Sequence, residues 1–124
     1  MAKVSKETAS EVMAVDGYEG RTQDLGGYTV AYETFTSDQD PAPLFVGLPD
    51  DHCQCPHWGY VVSGRVRVRY ADREEVLSAG DLYYMPPGHT TFFEEPTELV
   101  EFSPQGEYAR TIEVAARNMA AMQG

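Results

Sequence analysis

The segment Arg65-Val66-Arg67-Val68-Arg69-Tyr70 alternates basic and apolar side chains without a break. A period of two places Val66, Val68 and Tyr70 on one face and the three arginines on the other, which only an extended strand can do. One face must then meet a core and the other water. The same texture recurs in short pieces along the chain. Gly27 to Phe35 is rich in aromatic and β-branched residues, and Trp58 to Val62 runs into Ser63-Gly64, a two-residue hairpin signal. Glu75 to Leu77, Leu82 to Met85, Thr90 to Glu94 and Glu98 to Phe102 follow, separated by Ala71-Asp72-Arg73, Ala79-Gly80-Asp81, Pro86-Pro87-Gly88 and Pro96. Seven to nine short strands between Gly and Pro turns predict an all-β sandwich or barrel.

The two ends read differently. Residues 1 to 24 are polar and mixed, and predict a short helix near Ser5 to Met13 or a loose N-terminal arm. Leu44 to Leu48 is a short apolar run after a turn cluster at Ser37 to Pro43. At the other end, Ser103-Pro104 suits an N-cap and first helical position, and Tyr108, Ile112, Ala115, Ala116, Met119 and Met122 recur at helical spacing. The expected organisation is an arm over 1–26, a β-barrel over 27–102 and a terminal helix over 103–124.

With 124 residues the chain holds one domain, and 42% hydrophobic residues can fill its core. Twenty acidic against nine basic residues give a formal charge of -11, which repels both a phosphate backbone and an anionic membrane surface. Neither nucleic acid nor a membrane is an expected partner. No apolar stretch approaches the roughly 20 residues of a membrane span, and Met1 to Met13 has no secretion-signal pattern. Cys53 and Cys55 are too few for a disulfide framework, so reduced thiols and a cytoplasmic location are expected.

Those two cysteines belong to the densest chemistry in the chain. His52, Cys53, Cys55 and His57 lie within six positions, and the remaining histidine, His89, follows the Pro86-Pro87-Gly88 turn. Imidazole and thiolate suit zinc, iron, copper or nickel, with zinc the expected ion; calcium or magnesium would want oxygen ligands. Cys53, Cys55 and His57 share parity, but a straight strand would hold the outer two about 13 Å apart, too far for one ion. The chain must bend between them, and Pro56 is the place. His52 has the opposite parity and is the weakest candidate. Four bound ligands, Cys53, Cys55, His57 and His89, would make a closed structural site, whereas three would leave a position for water or substrate.

The glycine-bounded blocks of the chain resemble the cupin superfamily of small β-barrels. Gly80-Asp81-Leu82-Tyr83-Tyr84-Met85-Pro86-Pro87-Gly88 matches the second cupin motif, which is glycine, five residues, proline, any residue and glycine. The first motif ends in a metal-binding glutamate, six residues and a glycine; His57 stands at the glutamate position before Gly64. The usual His-x-His pair would fall on Asp51 and Cys53, or on Asp50 and His52, and the late histidine on Thr91, with His89 two residues earlier. The resemblance covers roughly residues 27 to 102. It implies a single RmlC-like double-stranded β-helix, or jelly roll, with an altered metal set.

The resemblance also implies a small-molecule ligand or substrate and a homodimer. Tyr32, Trp58, Tyr60, Tyr84, Phe93 and Phe102 are candidate walls of a pocket. Three functions remain open at this level: a Lewis-acid lyase, isomerase or cyclase, a non-catalytic barrel binding a small ligand, and a barrel with a purely structural zinc. The enzyme reading needs an acid or base near the metal, and the chain offers tyrosines but few carboxylates that look buried.

Overall fold

The computed structural model describes residues 3–36 and 40–123. Nine strands run in the order β1 (Glu11–Val15), β2 (Tyr18–Leu25), β3 (Tyr28–Phe35), β4 (His57–Ser63), β5 (Arg65–Arg69), β6 (Glu74–Ser78), β7 (Leu82–Met85), β8 (Thr90–Phe92) and β9 (Thr97–Pro104). One α-helix among the described residues, α1 (Gln105–Gln123), follows β9, and a 3-10 turn at Ala42–Phe45 lies between β3 and β4. The strands form two antiparallel sheets, one of six strands in the order β1-β2-β3-β9-β4-β7 and one of three in the order β6-β5-β8. Among the described residues no helix is long and apolar enough to cross a membrane.

The alternating segment behaves as its pattern dictates. Val66 and Val68 are buried while Arg67 pairs with Glu74 and Glu94 on the outer face of the small sheet. Val61, Val66, Val68, Tyr83, Met85, Phe93 and Leu99 make one buried cluster between the two sheets. Phe35 stacks on Phe93 with ring centroids 3.7 Å apart.

Three local expectations differ from the structure. Residues 11 to 25 form neither a helix nor a loose arm: β1 and β2 pair as a hairpin, and β2 extends β3 of the large sheet. All of β1 is exposed, so it carries no half-buried alternation to betray it. Ser63-Gly64 does not close a hairpin either, because β4 pairs with β7 and β9 whereas β5 pairs with β6 and β8. The chain instead changes sheets at Gly64, whose φ of 83° and contact with the Pro96 and Thr97 backbone leave no room for a side chain. Thr97 stitches this crossing: Arg65 N–H donates to its Oγ1, and that hydroxyl lies 3.0 Å from the Arg65 carbonyl. Finally, Ser103 and Pro104 stay in β9 rather than capping α1. The turn cluster at Ser37 to Pro43 lies partly outside the described residues, as does the Met122 side chain.

Parity along β9 sets up the site. Thr97, Leu99, Glu101 and Ser103 all face inward, Glu98, Val100 and Phe102 outward. Glu101 sits opposite Ala31 of β3 and Gly59 of β4, so a carboxyl group projects into the barrel between two neighbouring strands.

Candidate metal centre and cavity

Three strand and loop segments deliver the soft ligands. His57 opens β4 opposite Met85 and faces inward. Cys53 and His89 are joined by an isolated antiparallel bridge, in which Cys53 N–H donates to the His89 carbonyl at 2.9 Å and Gly88 N–H to the Cys53 carbonyl at 2.8 Å. The Pro86-Pro87-Gly88 turn thus carries its histidine back onto the cysteine. One ligand atom from each of Cys53, His57 and His89 lies within 4.8 Å of the other two, and all three residues are buried.

Second contacts fix which nitrogens face the group. His89 Nδ1 donates to the Pro86 carbonyl at 2.7 Å, leaving Nε2 as the nitrogen with a lone pair. His57 Nδ1 is held by Ser103 Oγ at 2.7 Å, and its Nε2 lies 3.6 Å from Cys53 Sγ. A tetrahedral ion at ~2.3 Å from sulfur and ~2.0–2.1 Å from nitrogen would put those atoms about 3.6 Å apart. The donor set fits a zinc-like ion. Burial pushes both imidazoles down to about 4, His89 also through its neighbour His57, so both are neutral at pH 7. Burial pushes the Cys53 thiol up to about 12, so an ion binding there must displace its proton.

The other candidates lie elsewhere. Cys55 is buried with Sγ near the Pro56 carbonyl and is not part of the three-residue group. The chain does leave extended strand between Cys53 and His57, at the segment that holds Pro56. His52 is outside the group too, its Nδ1 turned to the Asp50 carbonyl. Of the aromatic candidates, Phe93 lines the cavity described below and Tyr32, Trp58, Tyr60, Tyr84 and Phe102 do not. Strand parity is the reason. His57, Gly59 and Val61 take the inner face of β4, so Trp58 and Tyr60 face out, where Trp58 stacks on Tyr84 with centroids 5.1 Å apart. Tyr32 is turned outward as well, with its hydroxyl near the Val4 carbonyl.

A cavity of about 540 Å³ opens from the three ligands. Its walls come from the inner faces of β3 and β9, the hairpin residues Met13, Val15 and Tyr18, the 3-10 turn, and one side of α1. Tyr108, Ile112, Ala115, Ala116 and Met119, the residues at helical spacing, all line it. Thr111, on the same side of the helix, lines it too. The helix is therefore a roof over the centre.

Two carboxyl groups face this space, which the sequence reading did not anticipate. Glu33 Oε2 accepts a hydrogen bond from Tyr18 Oη at 2.6 Å, and Glu101 Oε1 accepts one from Tyr83 Oη at 2.8 Å. The two carboxyls are close enough for Glu101 to favour the protonated form of Glu33. Burial and the Glu101 neighbour push Glu33 up to about 8, and burial raises Glu101 as well. Glu101 Oε2 lies 3.7 Å from His57 Nδ1. The signal was present: Glu33 shares parity with Ala31 and Phe35, and Glu101 with Leu99 and Ser103, so each interrupts an otherwise inward face.

Residues 45–100 match a family model described as a cupin domain. Among solved structures, the chain is similar to an RmlC-like cupin from Shewanella frigidimarina at 19% identity, over 76% of this chain and 83% of that one, with a TM-score of 0.55. It is similar to KdgF from Halomonas sp. at 23% identity, over 76% and 86% of the two chains, with a TM-score of 0.56. A protein of unknown function from Rhizobium leguminosarum aligns at 20% identity over 83% and 95%, with a TM-score of 0.59. No curated protein matches the chain in sequence. The chain thus carries a cupin-domain match over residues 45–100 and shares its fold with RmlC-like cupins.

Proposed function

We propose that this barrel binds one divalent metal ion, zinc by its donor set, on Cys53, His57 and His89, and acts as a Lewis-acid enzyme on a small organic molecule held in the cavity. The observation that carries this reading is the three-donor group at the cavity with Cys55 outside it, since three protein ligands leave a coordination position for substrate or water. A bound ion there supplies polarisation of a carbonyl or hydroxyl oxygen. The chain supplies the rest. Ser103 orients His57, the Pro86 carbonyl orients His89, and α1 screens the space from bulk water. Glu33 keeps a carboxyl proton near neutral pH, beside the Tyr18 hydroxyl, and can give it to or take it from a reacting group. Lyase or isomerase chemistry needs that pairing of Lewis acid and proton carrier.

The contact between Cys53 Sγ and His57 Nε2 also satisfies both groups as an S–H···N hydrogen bond, which favours a second reading, a ligand-binding barrel without a metal. Elemental analysis of protein purified with its thiols reduced separates the two. About one equivalent of metal is expected in the wild type and in Cys55→Ser, and a loss in Cys53→Ser and His89→Ala. A wild type that takes up no zinc, iron, copper or nickel would leave the second reading. Equal loss in Cys55→Ser would instead mean a closed four-ligand structural site.

We also infer a homodimer formed through the outer face of the large sheet, where Tyr28, Trp58, Tyr60, Tyr84 and Phe102 expose a continuous aromatic row. A monomer by sedimentation at micromolar concentration would refute it. The free thiols the centre needs fit a reducing compartment.

A further inference from the structure

We infer that the cavity selects an uncharged, mainly apolar molecule and rejects organic anions. This rests on the reading of the cavity as the ligand site, and it does not require the metal. Most of the wall is hydrocarbon or aromatic ring, with Phe35, Phe93, Ile112 and Met119 among its members. Its charged side chains are all acidic: Asp16, Glu33, Asp40 and Glu101.

No basic residue faces that space. The chain has nine lysines and arginines, all within the described residues, and none lines the cavity. Seven of them form ion pairs with acidic side chains elsewhere. A carboxylate or phosphate entering would shed its water without meeting a side-chain cation, and the charged groups it would meet, Asp16 and Asp40, are of its own sign. An ion on Cys53, His57 and His89 would bring two positive charges, of which the thiolate cancels one. Asp16 and Asp40 oppose the remainder.

An organic cation gains little either, because the inner carboxyls are already engaged. Glu33 Oε2 is taken by Tyr18 and Glu101 Oε1 by Tyr83, and Glu101 Oε2 faces His57. What remains on offer to a ligand is apolar area, plus hydroxyl and carboxyl groups that exchange hydrogen bonds with an alcohol, ketone or amide.

Benzyl alcohol, benzoate and benzylammonium are probes of one size and three charges. Each is titrated at pH 7.5 into protein carrying ¹³C-methyl methionine, in zinc-loaded and in chelated form, with metal content measured on both. Met85 and Met119 line the cavity and their methyl signals report entry; Met85→Leu assigns one of them. The expected result is that benzyl alcohol moves both methyls in both forms and that benzoate binds at least about tenfold more weakly, the scale of one repulsive charge contact. Glu33→Gln, checked for folding by circular dichroism, should leave that gap in place, because the carboxyl it replaces already carries its proton at that pH. Benzoate binding as tightly as the alcohol in either form overturns the inference. So does benzylammonium binding tighter than the alcohol, or the failure of every probe to move the methyls. A neutral preference in protein that takes up no metal would sink the metalloenzyme reading and leave this one standing.

Discussion

His57 Nε2 and Cys53 Sγ lie 3.6 Å apart, and the opposite nitrogen of the same imidazole is held by Ser103 Oγ at 2.7 Å. One ring therefore links a soft-donor group to the last inward residue of β9. Sequence separation hides this: Ser103 is 46 residues from His57, and the two meet because β9 lies beside β4. Outer contacts of this kind set ring orientation and ligand basicity.

Ser103→Ala should accordingly weaken zinc binding roughly 10- to 100-fold without changing the stoichiometry. Competition against a chromogenic chelator measures it. An unchanged affinity would mean that packing alone holds the His57 ring.

Glu33 makes stability depend on pH in an unusual direction for a carboxylate. Its folded-state value is raised to about 8 from an ordinary 4.5, so the folded protein keeps a proton that the unfolded chain has lost. Its contribution is complete below pH 4.5 and is lost as pH climbs through 8, with a slope of up to about 1.4 kcal/mol per pH unit between. Urea melts of chelated, reduced protein should show a falling midpoint from pH 5 to pH 8.5, and Glu33→Gln should flatten that fall. Parallel slopes in the two proteins would refute the assignment.

The sequence announces its strands where burial is one-sided. Arg65 to Tyr70 alternates because one face of β5 meets the core and the other meets water. It stays silent where that asymmetry fails, as at β1, which is exposed throughout. Turn chemistry was misleading at Ser63-Gly64, since a glycine with positive φ serves a change of sheet as well as a hairpin. The soft ligands were legible as a cluster, but which three converge depends on the bridge between Cys53 and His89, a tertiary pairing. Phe93 lines the cavity, whereas Trp58 and Tyr60 miss it through parity. Once His57 faces inward, Trp58 and Tyr60 cannot, and the polar counterparts on the inner faces are Glu33 and Glu101.

Gly59 is required by close approach rather than by dihedral angle. A Cβ there would lie 2.5 Å from the Tyr83 ring and 2.5 Å from the Val100 carbonyl oxygen. The bare backbone lets the Tyr83 ring lie flat enough for its hydroxyl to reach Glu101. Gly59→Ala should cost about 1–3 kcal/mol or more in urea unfolding. Gly106→Ala is the control, because a Cβ there meets nothing within 4 Å; its midpoint should hold or rise slightly.

Asn118 clamps the roof. Its Nδ2 donates to the Leu44 and Val46 carbonyls at 2.8 Å each, and α1 packs chiefly on this 3-10 segment rather than on the strands. Two neutral hydrogen bonds are worth together about 1–3 kcal/mol. Asn118→Ala should therefore let α1 open more often while the sheets stay closed, since no strand depends on the clamp. Hydrogen exchange should quicken by about tenfold across 105–123, with β4, β5 and β9 unchanged. Equal acceleration in the strands would show that the helix is part of the barrel's cooperative unit. Unchanged exchange everywhere would show that the apolar face of α1, through Ile112, Ala115 and Met119, holds the roof without Asn118.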